Sequence, residues 1–270
     1  MNGRSGSTTA TGPVCSAPGR VTVRRVVTTR AGGVSQPPYD SFNLGDHVGD
    51  DPAAVAANRR RLAEGIGLPP ASLVWMEQIH SRNVSVVDGP VAEAVPATDA
   101  MVTATPGLAL VVLTADCVPV LLADDEAGVV AAVHAGRVGA RIGIVGEVLR
   151  TMIGLGARPE RIGALLGPAA SGERYEVPAV MQQDVEAHLP GSACTTVANT
   201  PGLDIREGIR RQLLAAGVGA VAVDPRCTIA DPTLFSHRRG APTGRLASVI
   251  WMEGLRVGPG FADAVTLTSH

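Results

Sequence analysis

The sequence predicts a single α/β domain, and three observations carry that expectation. LALVVL (108–113) and GVVAAVHA (128–135) are short, continuous apolar runs, the pattern of strands covered on both faces. Other segments, foremost VGARIGIVGEVLRTMIGLG (138–156), have the 3.6-residue period of amphipathic helices. No internal repeat and no Pro/Gly/Ser-rich linker divides the interior of the 270 residues. A chain of that length buries roughly 70–75% of its unfolded surface on folding.

Residues 1–20 read as a flexible Gly/Ser/Thr/Pro-rich tail without the apolar h-region of a secretory signal, leaving one domain over 21–270. VTVRRVVTT (21–29) alternates like a strand, and residues 30–51 form a turn-rich loop. Pro52 to Ile66 reads as a helix, with Asp51 as its N-cap and Pro52 at the first position, where a missing N–H costs nothing. Strands are expected over LVWMEQIH (73–80) and NVSVVD (83–88), then a loop over 89–98, then the two apolar runs. The helix over 138–156 ends in glycines, with Pro159 beyond. Helices near 178–188 and 204–215 and strands near 220–223 and 246–251 complete the set.

Composition narrows the function. All 23 basic residues are arginine, against 25 acidic ones, for a formal net charge of −2. With seven aromatics (3 Phe, 2 Trp, 2 Tyr), the chain lacks the basic face and stacking rings of a nucleic-acid binder. The absence of lysine excludes a Schiff-base or pyridoxal enzyme and a Walker-type phosphate loop, each of which needs an ε-amine. GC-rich coding accounts for the arginine bias, so abundance alone says nothing of phosphate. The 45% of hydrophobic residues imply a core of Val, Leu, Ile and Ala. Cys15, Cys117, Cys194 and Cys227 are spaced as neither a disulfide framework nor a zinc knuckle, which fits a reducing cytoplasm. No apolar stretch approaches the roughly 18 residues of a membrane span. The expected partner is a small-molecule substrate, with no nucleic acid and no membrane, and the chain a monomer or weak homodimer.

Histidine and cysteine are scarce enough to weigh singly. His80 ends one predicted strand, Cys117 follows another in TADCVPV, and His134 ends GVVAAVH, so each lies where α/β sheets place ligand groups. Two imidazoles and a thiolate can hold zinc with a fourth tetrahedral position open. Their separations of 37 and 17 residues form no local motif, however. Metal-free Cys–His catalysis uses the same groups, and a buried Cys serves as readily as a small hydrophobe. His47 is a pocket residue or simply exposed, while His188, His237 and His270 read as structural or solvated. Asp99 and Asp116 could each orient a histidine or cap a turn. Arg30, Arg238 and Arg239 are candidate anion clamps. The candidate substrate contacts are Arg30, Asn43, Asp116, Arg137 and Arg238, and the run Arg59-Arg60-Arg61 reads as a solvated helix face.

Several segments occur together in a recognisable order: TRAGGVSQPPYDSFNLGDHVGDDPAAVAANRRRL (29–62), WMEQIH (75–80), TDAMVTATPGLALVVLTADCVPVLLAD (98–124), VVAAVHAG (129–136), LGPAASGERYEV (166–177), CTIADPTLFSHRR (227–239) and GRLASVIWM (244–252). The chain resembles the bacterial laccase-domain family over roughly residues 22–252. That family is described as polyphenol oxidase, as zinc-dependent purine nucleoside phosphorylase with adenosine deaminase side activity, and as peptidoglycan editing factor. The resemblance implies mixed, β-sandwich-like central sheets flanked by helices, with zinc (or copper in its place) on the positions of His80, Cys117 and His134. The family's HAGWRG here reads His134-Ala135-Gly136-Arg137-Val138-Gly139, so the Trp is absent and the Arg comes one position earlier. Ser81 and Ala100 replace two usual glycines near the expected site.

Chemistry ranks the implied activities. A multicopper oxidase needs a blue-copper site plus a trinuclear cluster, and six histidines are too few. Copper on a His2Cys set can still give weak polyphenol oxidation. The expected function is phosphorolysis of adenosine, inosine or guanosine to free base and ribose 1-phosphate, with adenosine deamination alongside. The alternatives are a cysteine hydrolase editing a peptidoglycan precursor, with Cys117 as nucleophile and His134 or His80 as base, and a catalytically silent metal binder. Six of the seven aromatics fall inside the matched segments, where they wall a pocket or pack the elements around it.

Overall fold

A computed structural model describes residues 21–253, and the predicted tail, Cys15, Phe261 and His270 lie outside those residues. The strands are β1 (Val23–Val27), β2 (Leu73–Val74), β3 (Val84–Val86), β4 (Ala100–Thr103), β5 (Ala109–Thr114), β6 (Val118–Asp124), β7 (Val129–Ala135), β8 (Gly163–Leu166), β9 (Ala193–Thr195), β10 (Pro201–Leu203), β11 (Ala220–Val223) and β12 (Leu246–Met252). The helices are α1 (Pro52–Ile66), α2 (Arg137–Arg141), α3 (Ile144–Gly154), α4 (Ala179–His188) and α5 (Ile205–Ala215).

Two mixed sheets form the centre, one in the order β1-β12-β5-β2 and one in the order β11-β8-β6-β7-β4-β3, with β10-β9 as a separate ribbon. Period-two alternation explains how they stack. Leu110 and Val112 of β5 and Ile250 of β12 meet Met101, Leu121, Val130 and Ala132 of the facing sheet. The intervening residues turn outward. Val111 and Val249 pack under Leu62 and Ala63 of α1, while Val120, Val133 and Ala164 pack under Val148 and Met152 of α3 and Ile209 and Leu213 of α5. Every strand at the centre is therefore buried on two faces, at about 1.5–3 kcal/mol per large aliphatic side chain. The predicted α/β class and sandwich-like centre are both present.

Helix α1 begins as its sequence dictates, with the Asp51 carboxylate accepting from Ala53 N at 3.0 Å and Pro52 leading the first turn. Three expectations need correction. The helix expected over 138–156 is two helices, α2 and α3, broken at Gly143 (φ 90°). The strand expected over 73–80 pairs with β5 only at Leu73–Val74. Beyond it the backbone turns to Val95, which bridges Met76 and bonds Trp75 O and Glu77 N, while the Gln78 side-chain amide bonds both backbone groups of Leu113, each at 2.8 Å. Strands β4, β6 and β8 were not expected. In β6, Pro119 reads as a breaker, yet it sits at the second residue of the strand opposite His134, where a missing donor is tolerated.

Candidate metal centre and cavity

The chain leaves one sheet at Thr114 and enters the other at Val118, and Asp116 and Cys117 lie in that crossover. Asp116 turns the chain with a left-handed backbone (φ 96°), a conformation Asp tolerates better than most residues. Antiparallel register then sets Val118 opposite Ala135 and Pro119 opposite His134, bringing the end of β7 beside Cys117. His80, also left-handed (φ 61°), arrives from the irregular segment after β2 rather than from a strand end. Their ligand atoms all lie within 4.8 Å of one another. Cys117 Sγ is 3.8 Å from His80 Nε2, and the two imidazoles stand edge to face with centroids 4.7 Å apart.

Asp99 organises this cluster. Its Oδ1 lies 2.9 Å from His134 Nδ1, and its carboxylate accepts from the backbone N–H groups of Ile79, His80 and Ser81 at 3.2, 2.9 and 2.6 Å. One side chain thus orients a buried imidazole and shapes the turn carrying a second one. The Ser81 hydroxyl adds a 2.7 Å bond to the same carboxylate. Burial opposes ionisation of Asp99, yet the bonds from His134 and Ser81 hold its carboxyl down at about 2. Burial also opposes a thiolate at Cys117, but the His134 charge and hydrogen bonds from both imidazoles bring the thiol down to about 6. In turn, against its own burial, His134 is carried up to about 9 by the Cys117 thiolate and Asp99.

The three donors suit a metal ion: tetrahedral bonds of about 2.0–2.3 Å set donors roughly 3.3–3.8 Å apart, close to the 3.8 Å between Cys117 Sγ and His80 Nε2. Gly136 leaves the space next to them open, because a Cβ there would stand 2.9 Å from both Cys117 Sγ and His80 Cδ2.

The triad borders a cavity of about 370 Å³ whose wall also includes His47, Asp116, Arg137, Tyr175, His237, Arg238 and Arg245. Of the candidate contacts, Asp116, Arg137 and Arg238 line this cavity, Arg137 being the displaced arginine of the HAGRVG loop. Arg30 and Asn43 are not in its wall. Arg30 bonds the Asp40 carboxylate at 3.0 Å and Asp40 O at 2.9 Å, with its guanidinium 5.0 Å from the Phe235 ring centroid. Buried Asn43 caps its own loop through Gly45 and accepts from Arg245 N at 2.8 Å, so it acts on the cavity through Arg245. His237, which reads as structural or solvated in the sequence, is a wall residue, as is His47. Arg245 was missed altogether. Asp99 is the carboxylate that orients a histidine, whereas Asp116 bonds to neither imidazole. Ala100 is core, and Arg59 is not solvated but lies 3.9 Å over the Trp75 ring. Of the aromatics, Tyr175 walls the cavity, while Phe235 and Trp251 pack its supports.

Exposed His80, half-buried Cys117 and buried His134, gathered at the open end of a β-sandwich, form a group that could hold a metal ion, which places the protein in a metal-site class. More particularly, the chain belongs to the multi-copper polyphenol oxidoreductase laccase family, whose model matches residues 24–253. It is 65% identical over 233 residues, 86% of this chain and 93% of the other, to a Mycobacterium tuberculosis protein named purine nucleoside phosphorylase. A Corynebacterium glutamicum protein of the same name is 63% identical, covering 85% of this chain and 94% of the other. Among solved structures, YlmD from Geobacillus stearothermophilus superposes with a TM-score of 0.80 at 34% identity, covering 86% of this chain and 92% of that one. No helix among the described residues is long and apolar enough to cross a membrane.

Proposed function

We propose that the protein is a zinc-dependent purine nucleoside phosphorylase, converting adenosine, inosine or guanosine and phosphate to free base and ribose 1-phosphate. The charge of the cavity wall carries this reading. Arg137, Arg238 and Arg245 line the cavity that the triad borders, and none forms an ion pair among the described residues. Asp116, the one carboxylate in the wall, is engaged by three donors. Unpaired guanidiniums beside a metal site suit a phosphate co-substrate. The names of the mycobacterial and corynebacterial relatives support the same reaction.

His80, Cys117 and His134 would hold the metal, and zinc there supplies Lewis acidity and lowers the pKa of an adjacent water. The arginines hold phosphate against the ribose. A phosphate oxygen then forms the bond to C1′, the glycosidic bond breaks, and its electron pair leaves with the purine. His47 and His237 are the imidazoles placed to protonate the departing base. Water attacking adenine at C6, with ammonia as the leaving group, would give the adenosine deaminase side activity, and copper on the same donors, with dioxygen as the electron acceptor, would give weak polyphenol oxidation. Cytoplasmic location and a monomeric or weakly dimeric state belong to the same proposal, checked by fractionation and sedimentation.

The thiolate–imidazolium pair also favours a second reading, a cysteine hydrolase acting on a peptidoglycan precursor. Metal analysis with an adenosine-plus-phosphate assay, before and after chelation, separates the two. Stoichiometric zinc and chelator-sensitive, phosphate-dependent base release are expected. Activity that survives full metal removal but dies in Cys117→Ser points to the hydrolase. His80→Ala, Cys117→Ala and His134→Ala should each lose zinc and turnover together, and zinc retained in any two of them overturns the triad.

A further inference from the structure

Asp116 lies in the cavity wall, yet its carboxylate is spent on the protein itself. Oδ1 accepts from Thr228 Oγ1 and from Ser236 Oγ, each at 2.6 Å, and Oδ2 accepts from the backbone N–H of Arg238 at 2.6 Å. Its carbonyl oxygen accepts from Ala170 N at 2.9 Å. All three side-chain bonds reach one segment, residues 227–239, which carries both His237 and Arg238 into the cavity. The next residue in the chain is Cys117. A side chain in a left-handed turn therefore links the metal-ligand crossover to a segment more than a hundred residues away, with short, charge-assisted bonds. Beyond that anchor Arg238 is steadied by the Tyr175 ring, 4.8 Å from its guanidinium, and by Glu176 O at 3.0 Å.

We propose that Asp116 is a positioning residue for the anion arm: it sets the distance between the Cys117 crossover and Arg238, and so the affinity for phosphate, without touching substrate. The phosphate part of this inference rests on the phosphorylase reading, whereas the placement of the arm does not. Asn at position 116 is the informative change. It tolerates the left-handed backbone and keeps an acceptor for the two hydroxyls, but it turns an N–H donor toward Arg238 N.

The test compares zinc-loaded wild type with Asp116→Asn and, as a milder variant that keeps the carboxylate, Ser236→Ala. Phosphate binding is read by calorimetry, and the phosphate and nucleoside KM values and kcat by base release. Zinc content is measured, and the mobility of residues 227–239 is followed by amide hydrogen exchange. Asp116→Asn should weaken phosphate on the order of tenfold to a hundredfold and raise exchange in 227–239. Nucleoside KM and zinc content should stay near wild type, and Ser236→Ala should fall in between. Wild-type exchange and wild-type phosphate affinity in folded Asp116→Asn overturn the proposal, as does loss of zinc in step with phosphate. If wild type itself binds no phosphate, the phosphorylase reading fails, and the exchange measurement alone decides whether Asp116 places the arm. Should Asp116→Asn not fold, Ser236→Ala carries the same comparison with the same criteria.

Discussion

Replacing Gly136 by alanine isolates the steric demand of the metal centre. The backbone at this position (φ −71°, ψ 168°) is open to any residue, so the change costs nothing in local conformation. What it adds is a methyl group 2.9 Å from Cys117 Sγ, 2.9 Å from His80 Cδ2 and 3.5 Å from His80 Nε2. Comfortable heavy-atom contacts lie at about 3.5–4.0 Å, so two of the three ligands must retreat by roughly half an ångström or more. Metal–ligand distances tolerate about 0.2 Å. Overpacking of this kind costs about 1–3 kcal/mol, which translates into a zinc dissociation constant raised on the order of tenfold to a hundredfold. Competition against a chromophoric chelator measures that constant. Cobalt substitution adds an independent view, since thiolate-to-cobalt absorption should weaken as Sγ moves away. Far-ultraviolet circular dichroism must show the fold retained. A folded Gly136→Ala protein with wild-type zinc affinity and an unchanged cobalt spectrum would refute the claim that this glycine makes room for the ligands.

Asp99→Asn should lower zinc affinity by about ten- to a hundredfold, because the group orienting His134 loses its charge; chelator competition reads it, and unchanged affinity counts against Asp99 as the organiser. Arg238→Gln should raise the phosphate KM about tenfold or more, whereas Arg30→Gln, its guanidinium held by Asp40, should leave that KM alone and lower thermal stability instead; steady-state kinetics and a melting curve decide. Buried Asp124 accepts from Glu126 N, Ala127 N, Arg158 N and Arg161 Nε, and although burial opposes its ionisation these partners hold its carboxyl below the usual range. Its folded-state pKa being depressed, its contribution is present above the unfolded carboxylate value of about 3.9 and fades as pH falls through the folded value. Asp124→Asn should therefore cost about 2–3 kcal/mol at neutral pH, and the gap to wild type should narrow below about pH 4; a gap that widens there contradicts the sign.

The parts of the fold that can be read locally are those with local causes. Asp51-Pro52 starts α1 by capping, and continuous apolar runs mark β5 and β7 because two opposite faces of each strand are covered. What stayed hidden depends on partners distant in the chain. Strand β6 lies between β7 and β8, and only that pairing makes Pro119 acceptable at its start. The end of β2 is set by partners far along the chain, Val95 taking the backbone of Trp75 and Glu77 while Gln78 reaches to Leu113, 35 residues on. The break at Gly143 was visible as a residue type, but the apolar period runs through it, and periodicity outvoted a single glycine.

The site divides along the same line. Scarcity singled out His80, Cys117 and His134, while spacings of 37 and 17 residues carried no signal because cross-strand register, not sequence distance, brings them together. Arginine has the opposite problem. Among 23 of them, identity says nothing, and Arg30 looked as good a phosphate ligand as any. What distinguishes them is what each guanidinium already has. Arg30 is satisfied by Asp40 and stacked near Phe235, whereas among the described residues the Arg245 guanidinium enters the cavity hydrogen-bonded to the carbonyls of Thr243 and Gly244 and in no ion pair. Its place follows from β12, whose first residue, Leu246, pairs with Thr114 at the end of β5, directly before the Asp116-Cys117 crossover. The pairing of β12 with β5 therefore delivers Arg245 to the turn that carries Cys117, a register that residue 245 and its neighbours alone do not encode. On the phosphorylase reading proposed above, in a protein without lysine, the arginines suited to phosphate are those whose guanidinium the fold has left without an ion pair.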